Sequence, residues 1–249
     1  MNLYSYIIKY DDGSAPNPFF GYCTLAVCKP VIRRTSNICD WVFGLSPKDK
    51  NYKLVYAMKI IEKMTFRDYY NDCRFQNKKP NFLNTENYVD RVGDNFYKPI
   101  GNKFKQLPSV HSHGKKENEH TKRDLSGHCV LISDNFYYFG SEPIDLPENL
   151  LKDIKIGQGH RKLTHDVKGD TINGLISFIT KFKKGLHACP TMWPPADNLT
   201  CNDDKCCCED NDKCDEEYIN DNPTPTPTPT KIIDVINDCK KKHNIRRCF

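Results

Sequence analysis

Residues 40–61 set the reading of the chain. They open with Asp40-Trp41-Val42-Phe43-Gly44, pass through Leu45-Ser46-Pro47-Lys48-Asp49-Lys50-Asn51, and continue as Tyr52-Lys53-Leu54-Val55-Tyr56-Ala57-Met58-Lys59-Ile60-Ile61. Two short apolar runs, bounded by Pro, Asp and Asn, predict two strands joined by a turn. Thr65 then caps a short helix through Tyr70, and Asp68 sits where an acid supports the first turn.

The same pattern extends toward the N-terminus. Leu3 to Tyr10 predicts a strand that Asp11-Asp12-Gly13 ends. Ala15-Pro16-Asn17-Pro18 is a stiff turn, and Phe19 to Cys28 is a second apolar run. Toward the C-terminus, Val130 to Phe139 predicts another strand. Thr171 to Lys184 predicts a helix on the stripe Ile172, Leu175, Ile176 and Ile179, with Asp170 or Thr171 as its cap and Gly185 as its stop. Residues 71–128 show neither period and predict an inserted element whose middle, 101–127, is a mobile polar lobe. These elements predict an α+β fold built on a small curved or barrel-like sheet with flanking helices.

Composition changes after Pro194-Pro195. Residues 196–222 are acidic and nearly free of aliphatics, and Thr224 to Thr230 alternates with proline as a polyproline-type spacer. Residues 231–249 are a short basic amphipathic end. Three segments are therefore expected: a domain over 1–195, a largely disordered Cys-rich and Thr-Pro linker over 196–230, and a basic terminal segment over 231–249.

The 249 residues are 38% hydrophobic, enough for a packed core, which excludes wholesale disorder. No apolar run reaches the roughly 18 residues of a membrane span. Lys9, Asp11 and Asp12 break the first apolar patch before it resembles a signal peptide. A soluble cytoplasmic protein with no membrane partner is expected. Five of the 13 cysteines, Cys23, Cys28, Cys39, Cys73 and Cys129, lie among apolar residues and are expected as reduced, small buried hydrophobes; the other eight fall in the last 61 residues. Residues 1–195 hold 29 basic against 20 acidic side chains, whereas residues 196–249 hold 8 against 12. A basic folded part suits an anionic partner, with nucleotide or nucleic acid first.

Familiar catalytic signatures are missing. There is no phosphate-binding Walker loop, Gly157-Gln158-Gly159 stops short of a dinucleotide fingerprint, and Ser133 lies in no nucleophile elbow. Cys28-Lys29-Pro30-Val31-Ile32-Arg33-Arg34 follows a strand, and adjacent arginines there can hold a phosphate; a solvated loop is the plainer reading. Trp41 offers a face for a base, or a core ring. Asp94-Asn95 after Gly93 offers an acceptor and an amide, or a turn. Gly159-His160-Arg161 places a proton carrier beside an anion holder. His111, His113, His120 and His128 are dense enough for zinc, but they leave a ligand set undefined, and no metal is expected in residues 1–195. Cys201, Cys206, Cys207, Cys208 and Cys214 match no standard finger. No cofactor is indicated.

In order along the chain, Leu3-Tyr4-Ser5-Tyr6, Ala15-Pro16-Asn17-Pro18-Phe19, Cys23-Thr24-Leu25-Ala26, Cys28-Lys29-Pro30, Ile32-Arg33-Arg34, Asp40-Trp41-Val42, Leu54-Val55-Tyr56-Ala57-Met58, Arg74-Phe75, Lys79-Pro80, Gly93-Asp94-Asn95, Leu131-Ile132-Ser133 and Gly159-His160-Arg161 resemble the nucleotide modification associated domain 2 family. The resemblance spans about residues 2–190. Cys39 stands where the family pattern has glycine. The resemblance implies a role in a nucleic-acid base modification pathway, on a nucleotide or a flipped base, and a phage or viral setting. At the level of layout, the strand around Trp41, the strand Val55 to Ile61 and the helix around Tyr69-Tyr70 are similar to PUA-like barrels, including modified-base-binding EVE domains.

The combined expectation gives Lys29, Arg33 and Arg34 to a phosphate, Trp41 to stacking, and Asn17, Asp94, Asn95 and Arg161 to the nucleotide. His160 and Asp94 are the acid and base. A non-enzymatic reader of a modified base, and a structural protein that assembles through its tail thiols, are the alternatives.

Overall fold

The computed structural model describes residues 1–81, 87–111, 117–156 and 159–192. The expectations for the linker, the tail cysteines, the basic end and His113 lie outside these residues. In chain order the elements are β1 (Asn2–Ile7), β2 (Cys23–Leu25), α1 (Pro30–Thr35), β3 (Trp41–Leu45), β4 (Leu54–Lys59), β5 (Glu62–Thr65), α2 (Phe66–Asn71), α3 (Tyr88–Arg91), β6 (Tyr97–Ile100), β7 (Lys103–Gln106), α4 (Glu117–Leu125), β8 (Cys129–Ser133), β9 (Phe136–Tyr138), α5 (Glu148–Ile154), β10 (His160–Thr164), α6 (His165–Ile179) and β11 (Gly185–Leu186).

Six strands form a mixed sheet in the order β10-β1-β3-β4-β9-β11. β1 runs parallel to β3 and antiparallel to β10. A second sheet has the order β2-β8-β5, and β6 pairs with β7 as a hairpin. The expected barrel does not form among the described residues. β10 closes one edge against β1 alone and β11 the other against β9 alone, so the large sheet stays open.

Strand alternation divides the core into two layers. Leu3, Trp41, Phe43 and Ala57 point to one face and pack with Ile154 of α5 and with Ile172, Leu175 and Ile179 of α6. Tyr4, Tyr6, Val42, Tyr56 and Met58 point to the other. There they meet Cys23 and Leu25 of β2, Ile32 of α1 and Leu131 of β8. The large sheet is therefore covered by helices on one side and by the small sheet with α1 on the other.

Several expected boundaries move. The run Val130 to Phe139 is two strands in two sheets. The Ser133 hydroxyl donates to the carbonyls of Lys59 (2.6 Å) and Asn135 (2.9 Å) and accepts from the Asn135 N–H (3.0 Å), folding a turn where the apolar pattern reads straight through. Arg33 and Arg34 lie in α1 rather than a loop. Pro30 opens that helix with the φ its first turn needs. The Thr65 hydroxyl accepts the Asp68 N–H at 3.1 Å and caps α2. α6 begins at His165, bends at Lys168 and ends at Ile179. Its polar first turn carries no apolar stripe, and Gly185 begins β11 instead of ending the helix. Within the stretch expected as a mobile polar lobe, 101–127, β7 and α4 are formed, and β6 precedes it. Cys39 and Cys73 carry disulfides, whereas Cys23, Cys28 and Cys129 are free. Both bonded cysteines are only half-buried, so packing as small hydrophobes does not describe them. Cys39 also takes φ +75°, the backbone state in which glycine costs least.

Candidate catalytic centre

The link from β2 to α1 carries strain. Cys28 sits at φ +57° and Lys29 at φ +40°, left-handed conformations that side-chain-bearing residues seldom adopt. This bend presents the Cys28 side chain beside His111 and Asp124, which come from the β7–α4 connection and from α4. Cys28 Sγ lies 3.5 Å from His111 Nε2, and the same nitrogen lies 3.8 Å from Asp124 Oδ2. The other oxygen of Asp124 accepts the Cys28 backbone N–H at 2.8 Å, while the Tyr97 hydroxyl donates to Oδ2 at 2.9 Å. Asp124 is fully buried.

His111 is pushed up to about 9. Burial opposes its charge, but the anionic forms of Cys28 and Asp124 favour it by more. The arrangement is thus a cysteine–imidazolium pair with a buried carboxylate behind it. Asp124 does not sit on the far ring nitrogen, so it acts by field and by holding the Cys28 backbone. Of the other free thiols, burial raises Cys23 and Cys129, which weakens them as nucleophiles, and Cys189 is exposed and stands outside the cluster. One ligand atom each from Cys28, His111 and Asp124 lies within 4.8 Å of the other two, so this trio also has the donors and spacing to hold a metal ion.

Arg33 fixes the centre from beneath. Its guanidinium is fully buried and donates to the carbonyls of Cys28 (2.8 Å), Cys129 (2.9 Å) and Asp124 (2.5 Å). A Cβ on Gly127 would lie 2.5 Å from that group, so only glycine admits it. Fully buried and with three of its five N–H donors on backbone carbonyls, Arg33 presents no face to a phosphate.

Beside Cys28 lies a groove of about 300 Å³ lined by Cys28, Lys29, Pro30, Val31, Ile32, Arg123, Gly159 and His160. β10 begins at His160, which stands opposite Tyr6 in the sheet register. His160 is lowered by burial first and by Lys29 second. Lys29 is itself lowered by burial and then by Arg123 and Lys9, while Cys28 opposes this.

Of the residues expected to form one site, Lys29 and His160 do converge, whereas Arg34 is exposed on α1 outside the groove lining and reaches the Ser126 carbonyl at 3.4 Å. Arg161 alternates away and donates to the Asp153 carbonyl at 2.9 Å. Trp41 is 2% exposed on the opposite face of the sheet, stacked on Tyr137, so it shares no mouth with α1. Asn17, Asp94 and Asn95 are buried in a separate polar network. Asp94 accepts from Thr24 Oγ1 and Tyr69 Oη, each at 2.6 Å, and burial raises its carboxyl. Asn95 donates to the carbonyls of Tyr69 and Phe75. The Asn17 amide donates to Val92 O and its oxygen accepts from the buried Lys78 ammonium. These groups tie loops together and leave no face toward the groove. Asp124 and Arg123 were not singled out in the sequence, and His111 was read only as one of a zinc-like histidine cluster, not as a partner of Cys28. They lie 83 to 96 residues from Cys28, and only the fold joins them.

Fold and centre together define an α+β domain with a cysteine–histidine–aspartate cluster beside a cationic groove. The chain belongs to the nucleotide modification associated domain 2 family, whose model matches residues 1–196. No curated protein and no solved structure matches the chain. No described helix is long and apolar enough to cross a membrane.

Proposed function

We propose that the protein is an enzyme of nucleotide modification that works by covalent thiol catalysis, with Cys28 as the nucleophile. The observation that carries this is the Cys28–His111–Asp124 cluster on a strained strand-to-helix bend at the groove. Family membership supplies the nucleotide context, and the cluster supplies the chemistry. A thiolate paired with an imidazolium suits acyl transfer at a carbonyl carbon. The sulfur lone pair forms a C–S bond, the bond to the leaving group breaks with its electron pair, and His111 gives that group its proton. An amine, hydroxyl or water then attacks the thioester and gives its proton to His111, and the thiolate departs. The reader alternative loses support, because the Trp41 ring it relied on is buried in the core.

Alkylation tests this reading. At about pH 7, iodoacetamide followed by peptide mass spectrometry is expected to label Cys28 far faster than Cys23 or Cys129, and His111→Ala is expected to slow Cys28 labelling by about tenfold or more. Equal labelling rates in wild type and His111→Ala would remove the thiol–imidazolium pair. One zinc per chain by elemental analysis, protecting Cys28 until a chelator is added, would make Cys28 a ligand instead of a nucleophile.

A further inference from the structure

The groove next to Cys28 has a charge pattern that the nucleophile does not require. Among the described residues its lining includes Lys29, Arg123 and His160 and no carboxylate. The Lys29 ammonium has, among the described residues, only a long contact to the Ile7 carbonyl, 3.5 Å, and rests over the Tyr6 ring at 4.6 Å. Arg123 is half-exposed and approaches only the edge of Asp124, 3.9 Å from Nε to Oδ1. The three groups come from three different elements: the start of α1, α4 and the start of β10. No local sequence pattern forces such cations together, and like charges in a partly dry groove repel. Burial and mutual repulsion lower Lys29 and His160, as expected of a groove waiting for a counter-charge.

A dianion would answer this arrangement. Lys29 offers a compact ammonium, Arg123 a planar fork and His160 an imidazole that gains its proton when an anion arrives. Up to three positive charges exceed what one phosphodiester, a monoanion, would draw. The volume, about 300 Å³, matches a small-ligand pocket. We infer that Lys29, Arg123 and His160 form a subsite for the phosphate monoester of a single free nucleotide, placing the rest of that nucleotide over Cys28. This rests on the reading of Cys28 as the reactive thiol only for its direction, and the binding claim stands without it.

Calorimetry on the full chain carrying Cys28→Ala tests the subsite without any chemistry. The probes are the four deoxynucleoside 5′-monophosphates, the matching nucleosides, inorganic phosphate and a single-stranded oligonucleotide blocked at both ends. At least one monophosphate is expected to bind about tenfold or more tighter than its nucleoside, with inorganic phosphate competing. At about pH 7.5, where the monoester is a dianion, binding should take up protons, read as an enthalpy that depends on the ionisation heat of the buffer, because His160 gains a proton when the anion arrives. Arg123→Ala and His160→Ala should each weaken the monophosphate severalfold and leave the nucleoside unchanged; Arg123 is exposed, so its removal spares the fold. Equal affinity for nucleoside and monophosphate would overturn the subsite. So would tighter binding of the end-blocked oligonucleotide, which would assign the cations to a polymer backbone. If Cys28 proves unreactive while the monophosphate binds as expected, catalysis fails and the subsite stands. If Cys28 is reactive and phosphate makes no difference, the reverse holds.

Discussion

At the scale of single residues, Arg33 has the clearest consequence. One buried guanidinium satisfies three backbone carbonyls, two of them belonging to Cys28 and Asp124. Arg33→Ala would leave these acceptors unpaired, and a loss of roughly 3–5 kcal/mol in urea unfolding is expected. Gly127→Ala should weaken the same clamp from the other side, since its Cβ would fall 2.5 Å from the guanidinium carbon. If Gly127→Ala unfolds at the wild-type urea concentration, the clamp does not matter. His111 gives the centre a pH signature. Its folded value, about 9, lies above its ordinary 6.5. The stability it contributes is therefore complete below 6.5 and is lost as pH rises through about 9. Wild type should lose stability over that window, and His111→Gln should flatten the profile. At this scale the sequence was only partly legible. Lys29 and His160 were readable as a basic cluster and a His-Arg pair. Arg33 was misread because two adjacent arginines look alike until a helix turns one inward and the other outward.

At the scale of elements, strands announced themselves by apolar runs and turn chemistry, as in β1, β3 and β4. What the pattern could not reveal was which sheet a strand joins. β8 and β9 form one continuous apolar run, yet the Ser133 turn sends them to different sheets. The barrel expectation failed for a related reason: pairing at both edges of the large sheet is a long-range property that strand count does not fix. Two changes test the element assignments. Thr65→Ala should cost about 1 kcal/mol by removing the α2 cap. Gly44→Ala in β3 should cost more, about 1–3 kcal/mol, because its Cβ would meet the Tyr56 ring and Ile8 at 2.4 Å. A wild-type thermal midpoint for Gly44→Ala would contradict the packing of β3 on β4, and one for Thr65→Ala would contradict the α2 cap.

At the scale of the whole molecule, the two ends of the domain meet. The Asp11 carboxylate accepts from Tyr138 Oη at 2.5 Å and from the N–H and hydroxyl of Thr191, each at 3.1 Å. Met192 N–H returns to the Asp11 carbonyl at 2.9 Å. Ending the chain after residue 196 should leave the melting midpoint within a few degrees. Ending it after Lys184 removes β11 and the Thr191 contacts and should lower the midpoint by more than about 10 °C. A boundary near Pro195 is what the composition change there leads one to expect, and the truncation after residue 196 tests it. The closure of the N-terminus onto residues 191–192 was not legible, because nothing in Asp11 or Thr191 marks a partner 180 residues away. A second long-range pairing, β1 with β10, matters during synthesis. One side of that strand can pair with β3 soon after residue 45 emerges, but its other side has no partner until residue 164 does. At ribosomal speeds of about 5–20 residues per second, the interval is on the order of 6–25 s. For that time a nascent chain carries an uncovered strand rich in tyrosine, a surface for chaperones to shield or for neighbouring chains to capture.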